Sequence, residues 1–336
     1  MIHIFIDRTI DYPYQAMPKG PVITIGNFDG VHLGHQAILL RASKLAKSLG
    51  TSLQVITFDP PPAHLIRPNL PMQSLSSIQE RVQKLQKNGA DDVVVIHPTP
   101  DWLHQSPQTF IQKLLENHHM IGMVEGDDFR FGADRLGDVS MLQSLGNDLG
   151  FATEIVPPVE VLLNDQLISR VSSTLTRWLL THGRVADVAR CLGHAYELKA
   201  TVIHGEKRGR TINVPTVNLE LDELGGRALP AEGVYGGYAL LEDGSRHPAA
   251  ISLGLKPTFN GHVQTLEAHL LDFTGDLYDQ QVCLSFNRWV RHQQPFPSFS
   301  DLRVQLDRDI FRIKYWAQRG SLIIDSSEKA VPIHEV

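Results

Sequence analysis

The feature that most constrains the fold is a change of rhythm near Gly183. Before it, short β-branched runs alternate with amphipathic segments; after it, strand-like runs follow one another with only turns between them. In the first half Val22–Ile25, Leu53–Phe58, Asp92–Ile96, Ile121–Val124 and Ala152–Val156 read as strands. From His35 to Leu49 the residues Ile38, Ala42, Leu45, Ala46 and Leu49 recur at helical spacing, and Gly50 stops them. Ser77-Ile-Gln-Glu80 is a capping box ahead of Val82 and Leu85, and Ser106-Pro107 opens a helix with Phe110, Ile111, Leu114 and Leu115 inward. Val139–Leu149 reads as a further helix. Apolar strands alternating strictly with helices imply a parallel sheet covered on both faces. Residues 1–184 are therefore expected to form a Rossmann-like α/β domain.

Past a short helix, Val185–Leu192, the predicted strands are Glu197–His204, Thr216–Leu221, Val234–Leu241, Ala249–Leu253, Thr265–Leu271 and Val282–Phe286. Turns at Gly225-Gly226, Asp243-Gly244 and Thr274-Gly275 separate some of them. That many strands in so short a stretch predict a small antiparallel six-stranded β-barrel. A C-terminal helix with Leu302, Leu306, Ile310 and Ile313 on one stripe, capped by Ser300, completes a domain at 185–320, leaving 321–336 as a tail.

Composition removes several classes. Lys plus Arg total 31 and Asp plus Glu 37 in 336 residues, a net charge of −6 that lacks the basic footprint of a nucleic-acid binder. Cys191 and Cys283 are the sole cysteines, which excludes a disulfide framework or a Cys-based zinc site and fits a reducing compartment. Charges at Asp7 and Arg8 interrupt the opening apolar run, so no signal peptide is expected, and no stretch reaches the roughly 20 apolar residues of a membrane span. The expectation is a cytoplasmic protein, monomer or weak homo-oligomer, with small-molecule partners and neither nucleic acid nor membrane among them.

The most informative segment is Gly26-Asn27-Phe28-Asp29-Gly30-Val31-His32-Leu33-Gly34-His35. It lies between the first predicted strand and the first helix, where open parallel sheets bind ligands. Its glycines allow close backbone approach, the helix start offers N–H groups to an anion, and two imidazoles can donate to charge building on phosphorus. Neither Gly-x-Gly-x-x-Gly nor a Walker A sequence occurs, which disfavours a dinucleotide dehydrogenase and a P-loop enzyme. Thr57–Pro62, with three successive prolines, Gly126–Gly132 with Arg135 and Asp138 beyond it, and Val171–Arg177 lie where a pocket would use them. Taken singly, the histidines also read as surface groups on a capped turn, and Ser172-Ser173-Thr174 as a simple helix cap.

Together these segments resemble the adenylyltransferase half of the bacterial bifunctional riboflavin kinase/FMN adenylyltransferase (FAD synthetase) family, part of the nucleotidyltransferase superfamily related to class I tRNA synthetases. The resemblance implies that His32 and His35 assist transfer of AMP from ATP to the phosphate of FMN, with release of pyrophosphate. It further implies a pocket shaped by Gly26, Asn27, Phe28, Asp29 and Gly34, with Asp128, Phe129 and Arg130 near the flavin or its phosphate. Ser172, Ser173, Thr174 and Arg177 would hold the triphosphate. His97-Pro98 departs from the Pro-Phe usual in relatives.

In the second half, His204-Gly205-Glu206-Lys207-Arg208-Gly209-Arg210 is a basic, Gly-rich turn: a phosphate nest or a solvated hairpin tip. Thr216 and Asn218 share one strand face and present hard oxygens suited to Mg²⁺. In Thr265–Asp272, Leu266, Ala268 and Leu270 alternate with Glu267 and His269, making Glu267 either a general base or a solvent-facing strand residue. With Gly233-Val-Tyr235 and Gly254–Phe259, these segments resemble the riboflavin kinase module. That likeness implies phosphate contacts from Gly205, Lys207, Gly209 and Arg210, Mg²⁺–ATP at Thr216 and Asn218, and Glu267 as the base activating the ribityl hydroxyl. Arg291 and Phe296 would lie in the flavin-side loop. The implied ligands are ATP as co-substrate, Mg²⁺, and riboflavin, FMN and FAD as substrates or products. Asn213-Val214 replaces the usual Gly-Phe. Two alternatives therefore stand beside the bifunctional reading: an adenylyltransferase with an impaired kinase barrel, or a non-catalytic flavin-binding regulator.

Overall fold

A computed structural model describes residues 2–5, 20–67, 73–204, 214–258 and 261–322 of the chain; for 2–5, 256–258 and 261–263 it describes the backbone path alone. Two compact units emerge, Met1–Glu160 and Val161–Val336. This division precedes the expected functional boundary at residue 184.

The first unit is built on strands β1 (Ile2–Phe5), β2 (Val22–Ile25), β3 (Leu53–Phe58), β4 (Asp92–Ile96), β5 (Gly122–Gly126) and β6 (Ala152–Val156). They form one sheet in the order β1-β4-β3-β2-β5-β6, every neighbouring pair parallel. Its helices are α1 (Leu33–Leu49), α2 (Pro62–Ile66), α3 (Ile78–Lys87), α4 (Pro100–Leu103), α5 (Pro107–His118) and α6 (Val139–Leu149). Strand side chains alternate between two cores: Val22, Val55 and Val93 pack with Leu39 and Leu85 of α1 and α3, while Ile23, Ile56 and Val94 pack with Ile111 and Leu142 of α5 and α6. The four helix residues are fully buried, each stabilising the fold by roughly 2 kcal/mol. The sheet is thus covered on both faces, as expected. The capping box at Ser77–Glu80 and the Ser106-Pro107 start are both present. Edge strand β1 and the short helices α2 and α4 are additions to the sequence reading, too brief for periodicity to reveal.

In the second unit, a two-stranded sheet pairs β7 (Glu160–Leu162), at the division, with β8 (Ile168–Arg170), followed by α7 (Ser173–Thr181) and α8 (Val185–Leu192). Strands β9 (Tyr196–Ile203), β10 (Val217–Leu219), β11 (Gly233–Leu240), β12 (Arg246–Thr258), β13 (Gly261–Leu270) and β14 (Gln281–Arg291) close a barrel in the order β10-β13-β12-β11-β14-β9. Antiparallel pairing of β9 with β10 completes the ring. Tyr196, Leu198, Ala200 and Val202 point inward and are buried, whereas Glu197 and Lys199 face out. Strands β12, β13 and β14 outrun their predicted lengths, because pairing with a neighbour extends a ladder beyond its apolar residues. Helix α9 (Phe299–Gln318) packs Ile313 among Val234, Tyr238 and Val290. Its cap is Ser298, not Ser300. Ser298 has extended backbone (φ −145°, ψ 162°) and its Oγ accepts the Asp301 N–H at 3.1 Å, whereas Ser300 lies inside the first turn.

Close packing inside the barrel makes a specific demand at Gly237. A Cβ there would stand 1.8 Å from the Ser285 carbonyl oxygen, beside a register shift between β11 and β14. Gly237→Ala is expected to destabilise the barrel by more than about 2 kcal/mol. Denaturant unfolding would show a lower midpoint; a wild-type midpoint would mean that the strands part there without cost.

Candidate active sites

Strand order puts β2 at the switch point of the first sheet, between β3 and β5. It pairs with β3 along its whole length, but with β5 only through Val22–Gly122 and Ile23–Met123. Beyond that the strand ends part. The Ile25 N–H donates instead to Glu125 Oε1 at 2.8 Å, and Thr24 Oγ1 lies 3.5 Å from the same oxygen. Glu125 is buried, and burial pushes its carboxyl well above the ordinary value of 4.5. The bonds from Ile25 and Thr24 oppose that rise and the charge of Asp128 adds to it. The floor of the gap therefore carries a carboxyl that gives up its proton less readily than an ordinary glutamic acid.

The loop above this gap is tightly held. Gly26 N–H donates to Ile56 O at 3.0 Å, and the Asn27 carbonyl accepts from Thr57 Oγ1 at 3.1 Å. Phe28, Gly30 and Val31 all adopt positive φ (46°, 77° and 47°), costly for the β-branched Val31 and characteristic of constrained functional loops. The Asp29 carboxylate accepts from Leu75 N at 2.8 Å and Ser76 N at 3.2 Å, while Gly30 N–H donates to Ser76 Oγ at 3.1 Å. Asp29 thus fixes the entry to α3. Asn27 is exposed.

Helix α1 begins at Leu33, two residues before its predicted start, because His32 is its cap. His32 Nδ1 accepts the His35 N–H at 3.3 Å, which leaves Nε2 to carry the proton of a neutral ring. The two imidazoles stack with centroids 3.6 Å apart and planes 16° apart, and Phe28 meets His35 edge-on at 5.1 Å. His32 is buried; His35 keeps part of its surface accessible, yet its Nδ1 is buried with no hydrogen-bond partner among the described residues. Burial holds the His35 pKa well below 6.5, and the charges of His32 and Arg81 lower it further. Two charged rings at that separation would repel by about 5 kcal/mol at an effective dielectric of 20, so the pair holds one proton more readily than two.

Arg81 was not among the residues predicted for the site. It sits on the α3 stripe at Ile78, Arg81, Val82 and Leu85, a spacing that signals burial. Its Nη1 donates to Phe58 O at 2.8 Å and reaches Thr57 Oγ1 at 3.4 Å. His97, the departure from the usual Pro-Phe, puts Nδ1 within hydrogen-bonding reach of the Asp59 carbonyl and so ties β4 to the same loop. In the loop after β5, half-buried Phe129 stacks on Phe131 at 5.3 Å; Asp128 and Arg130 are exposed, with Arg130 Nη1 donating to Phe129 O at 2.8 Å. An open hollow of about 390 Å³ lined by Ala37, Leu40, Arg41, Lys44 and residues 155–157 lies on nearly the opposite face of α1 and is separate from the histidines.

The second unit holds the remaining residues. Ser172 caps α7, its Oγ accepting the Leu175 N–H at 3.1 Å; Ser173 begins the helix, Thr174 is exposed and Arg177 half-buried. On the barrel, Asn218 lies directly across from Glu267, and Thr216 Oγ1 donates to Glu267 Oε2 at 3.4 Å. Leu266, Ala268 and Leu270 are buried, so Glu267 and His269 occupy the outer face with Thr216 and Asn218. His269 Nδ1 lies 2.7 Å from the Pro215 carbonyl oxygen. Val214 is buried. Arg291 ends β14; its Nε donates to the buried Asp309 at 2.8 Å, so it ties the barrel to α9. Gly205, Lys207, Gly209, Arg210, Asn213 and Phe259 lie outside the described residues.

An anion-ready helix start at a sheet switch point, without a P-loop, and a separate barrel with a hydroxyl–amide–carboxylate cluster define a nucleotide-handling protein with two centres. Residues 14–174 match the family model described as FAD synthetase, and residues 192–317 match riboflavin kinase. The chain belongs to the bifunctional riboflavin kinase/FMN adenylyltransferase family. It is 36% identical to the protein of that name from Haemophilus influenzae, over 87% of this chain and 92% of that one. The Pseudomonas fluorescens relative is 35% identical, over 87% of this chain and 91% of that one. A solved structure described as a macrolide-efflux protein from Streptococcus pneumoniae shares the fold, with a TM-score of 0.81 and 28% identity over 90% of this chain and 96% of that one. Among the described residues here, no helix is long and apolar enough to cross a membrane.

The raised pKa of Glu125 has a measurable signature. Its folded form keeps a proton that the unfolded chain loses above about pH 4.5, so stability falls as pH rises through the interval up to the folded value. Glu125→Gln removes that dependence. Its unfolding free energy relative to wild type is expected to increase as pH rises above about 4.5; an unchanged difference would show that Glu125 does not titrate in this way.

Proposed function

We propose that the two units carry out successive phosphorus-centred reactions, with His32 and His35 in the first and Glu267 in the second. The barrel phosphorylates riboflavin to FMN with ATP, and the α/β unit adenylylates FMN to FAD. In adenylyl transfer a phosphate oxygen of FMN forms a bond to the α-phosphorus of ATP, while the bond to the departing pyrophosphate breaks. The stacked histidines at the start of α1 are the observation that carries this reading: fixed donors beside unpaired helix N–H groups suit the charge that gathers on that phosphorus. Gly26, Asn27, Phe28 and Gly34 form the backbone of this cradle. We assign the flavin side to Asp128, Phe129 and Arg130, and a polyphosphate-binding role to Ser172, Ser173, Thr174 and Arg177, with the functional boundary near residue 184.

In the barrel, Glu267 accepts the proton of the ribityl hydroxyl as the hydroxyl oxygen bonds to the γ-phosphorus and ADP departs. Thr216 and Asn218 offer hard oxygen donors that fit Mg²⁺, which would neutralise phosphate charge when bound with ATP. Gly205, Lys207, Gly209 and Arg210 are proposed as phosphate contacts and Arg291 as a support of the flavin-side loop. Positioning and charge neutralisation supply most of the acceleration in both reactions.

The two-centre reading predicts a double dissociation. His35→Ala is expected to reduce FAD formation by about 100-fold or more while sparing FMN formation. Glu267→Ala should do the reverse. Both are read by chromatography of flavins after incubation with riboflavin, or FMN, and Mg·ATP. Loss of both activities in either folded variant would overturn the assignment of one centre to each unit.

A further inference from the structure

We propose that Arg81 is a positioning residue for adenylyl transfer, fixing the two loops that flank the histidine pair and setting a permanent positive charge behind it. The proposal rests on the reading of His32 and His35 as the adenylyl-transfer pair. Arg81 Nη1 holds Phe58 O at 2.8 Å and meets Thr57 Oγ1 at 3.4 Å. The Thr57 hydroxyl has one proton, and it is given to the Asn27 carbonyl at 3.1 Å, so toward Arg81 it accepts. A directed chain, Arg81 to Thr57 to Asn27, therefore joins α3, the end of β3 and the loop leading into His32.

Burial gives the second strand of the argument. Arg81 is 2% exposed, and its Nε has no hydrogen-bond partner among the described residues. A buried donor without a partner is costly, and more so on a charged group. An apolar residue would avoid that penalty on the α3 stripe but would take the Arg81 donor from Phe58 O and Thr57 Oγ1, so the guanidinium is tied to holding this loop. Its charge bears on the reaction: burial lowers the Arg81 pKa while the charges of Asp29 and Asp59 oppose that, and Arg81 together with His32 adds to the lowering that burial imposes on His35. Because arginine stays protonated, its charge opposes a second proton on the histidines and favours an incoming phosphate.

The test uses the full-length enzyme and two substitutions. Arg81→Met keeps the stem and removes charge and fork; Arg81→Lys keeps the charge and loses the fork. Arg81→Met is expected to lower kcat for FAD formation on the order of 10- to 100-fold, with a smaller change in KM. The limb of the pH–rate profile that reports the histidine pair should move to higher pH, because a cation that depresses His35 has gone. Arg81→Lys should return that limb toward its wild-type position without restoring the full rate. FMN formation in the same preparations should be unchanged, which reports on folding. An unmoved limb with an unchanged rate and only a lower unfolding midpoint would overturn the proposal. If Arg81→Met fails to fold, the lysine variant decides: a slowed adenylylation with intact FMN formation supports the proposal, and wild-type kinetics reject it. His35→Ala, assayed in parallel, separates the two ideas. FAD formation that survives it defeats the reading of the pair itself, whereas sensitivity to His35→Ala with none to Arg81→Met defeats only the role of Arg81.

Discussion

The backbone N–H of Ile25 sets the terms for the first unit. At the switch point β2 and β5 separate, and this donor loses the strand partner that would otherwise satisfy it. Left unpaired in the interior it would cost about 1–3 kcal/mol. Glu125 accepts it from the neighbouring strand, and burial raises the pKa of that acid. The gap between the strands is therefore stabilised from below by a side chain of the neighbouring strand. The positive-φ loop and the start of α1 are both built on that opening.

Above the gap, polar side chains are committed to backbone in a way that leaves the histidines as the adaptable groups. Asp29 serves the entry to α3, Thr57 serves Asn27, and His32 spends one nitrogen on capping its own helix. Each bond removes freedom from a loop with several residues in sparsely populated conformations. The barrel uses a different device. Its carboxylate lies on a strand ladder whose opposite face is packed with Leu266, Ala268 and Leu270, so the alternation of the strand itself holds the group in place.

Much of this was legible in the sequence where local chemistry decides. The capping box at Ser77, the Pro107 start, the Gly50 and Gly193 stops, and the inward alternation beside Glu267 all depend on near neighbours. Features that depend on a distant partner were hidden. Ser298 and Ser300 are equally good caps on paper, and only the path of the chain into α9 selects Ser298. The extra length of β12 and β13 comes from each supporting the other through Thr258↔Gly261. Arg291, expected by resemblance in the flavin-side loop, gave no sign of its pairing with Asp309, which the C-terminal helix brings to it. Arg81 was masked by its charge, since a basic residue in a polar helix reads as solvated; its place on the apolar stripe was the available sign.

The grip of Asp29 and Gly30 on Leu75 and Ser76, with that of Arg81 on Phe58, pins both ends of the stretch between β3 and α3. Anchors of this kind uncouple the length of a connection from the geometry at its ends. Doubling such a loop raises its closure cost by only about 0.6 kcal/mol. A longer connection between β3 and α3 would thus cost little in closure, and the engineer gains a place to graft new contacts while the two anchored ends keep their geometry.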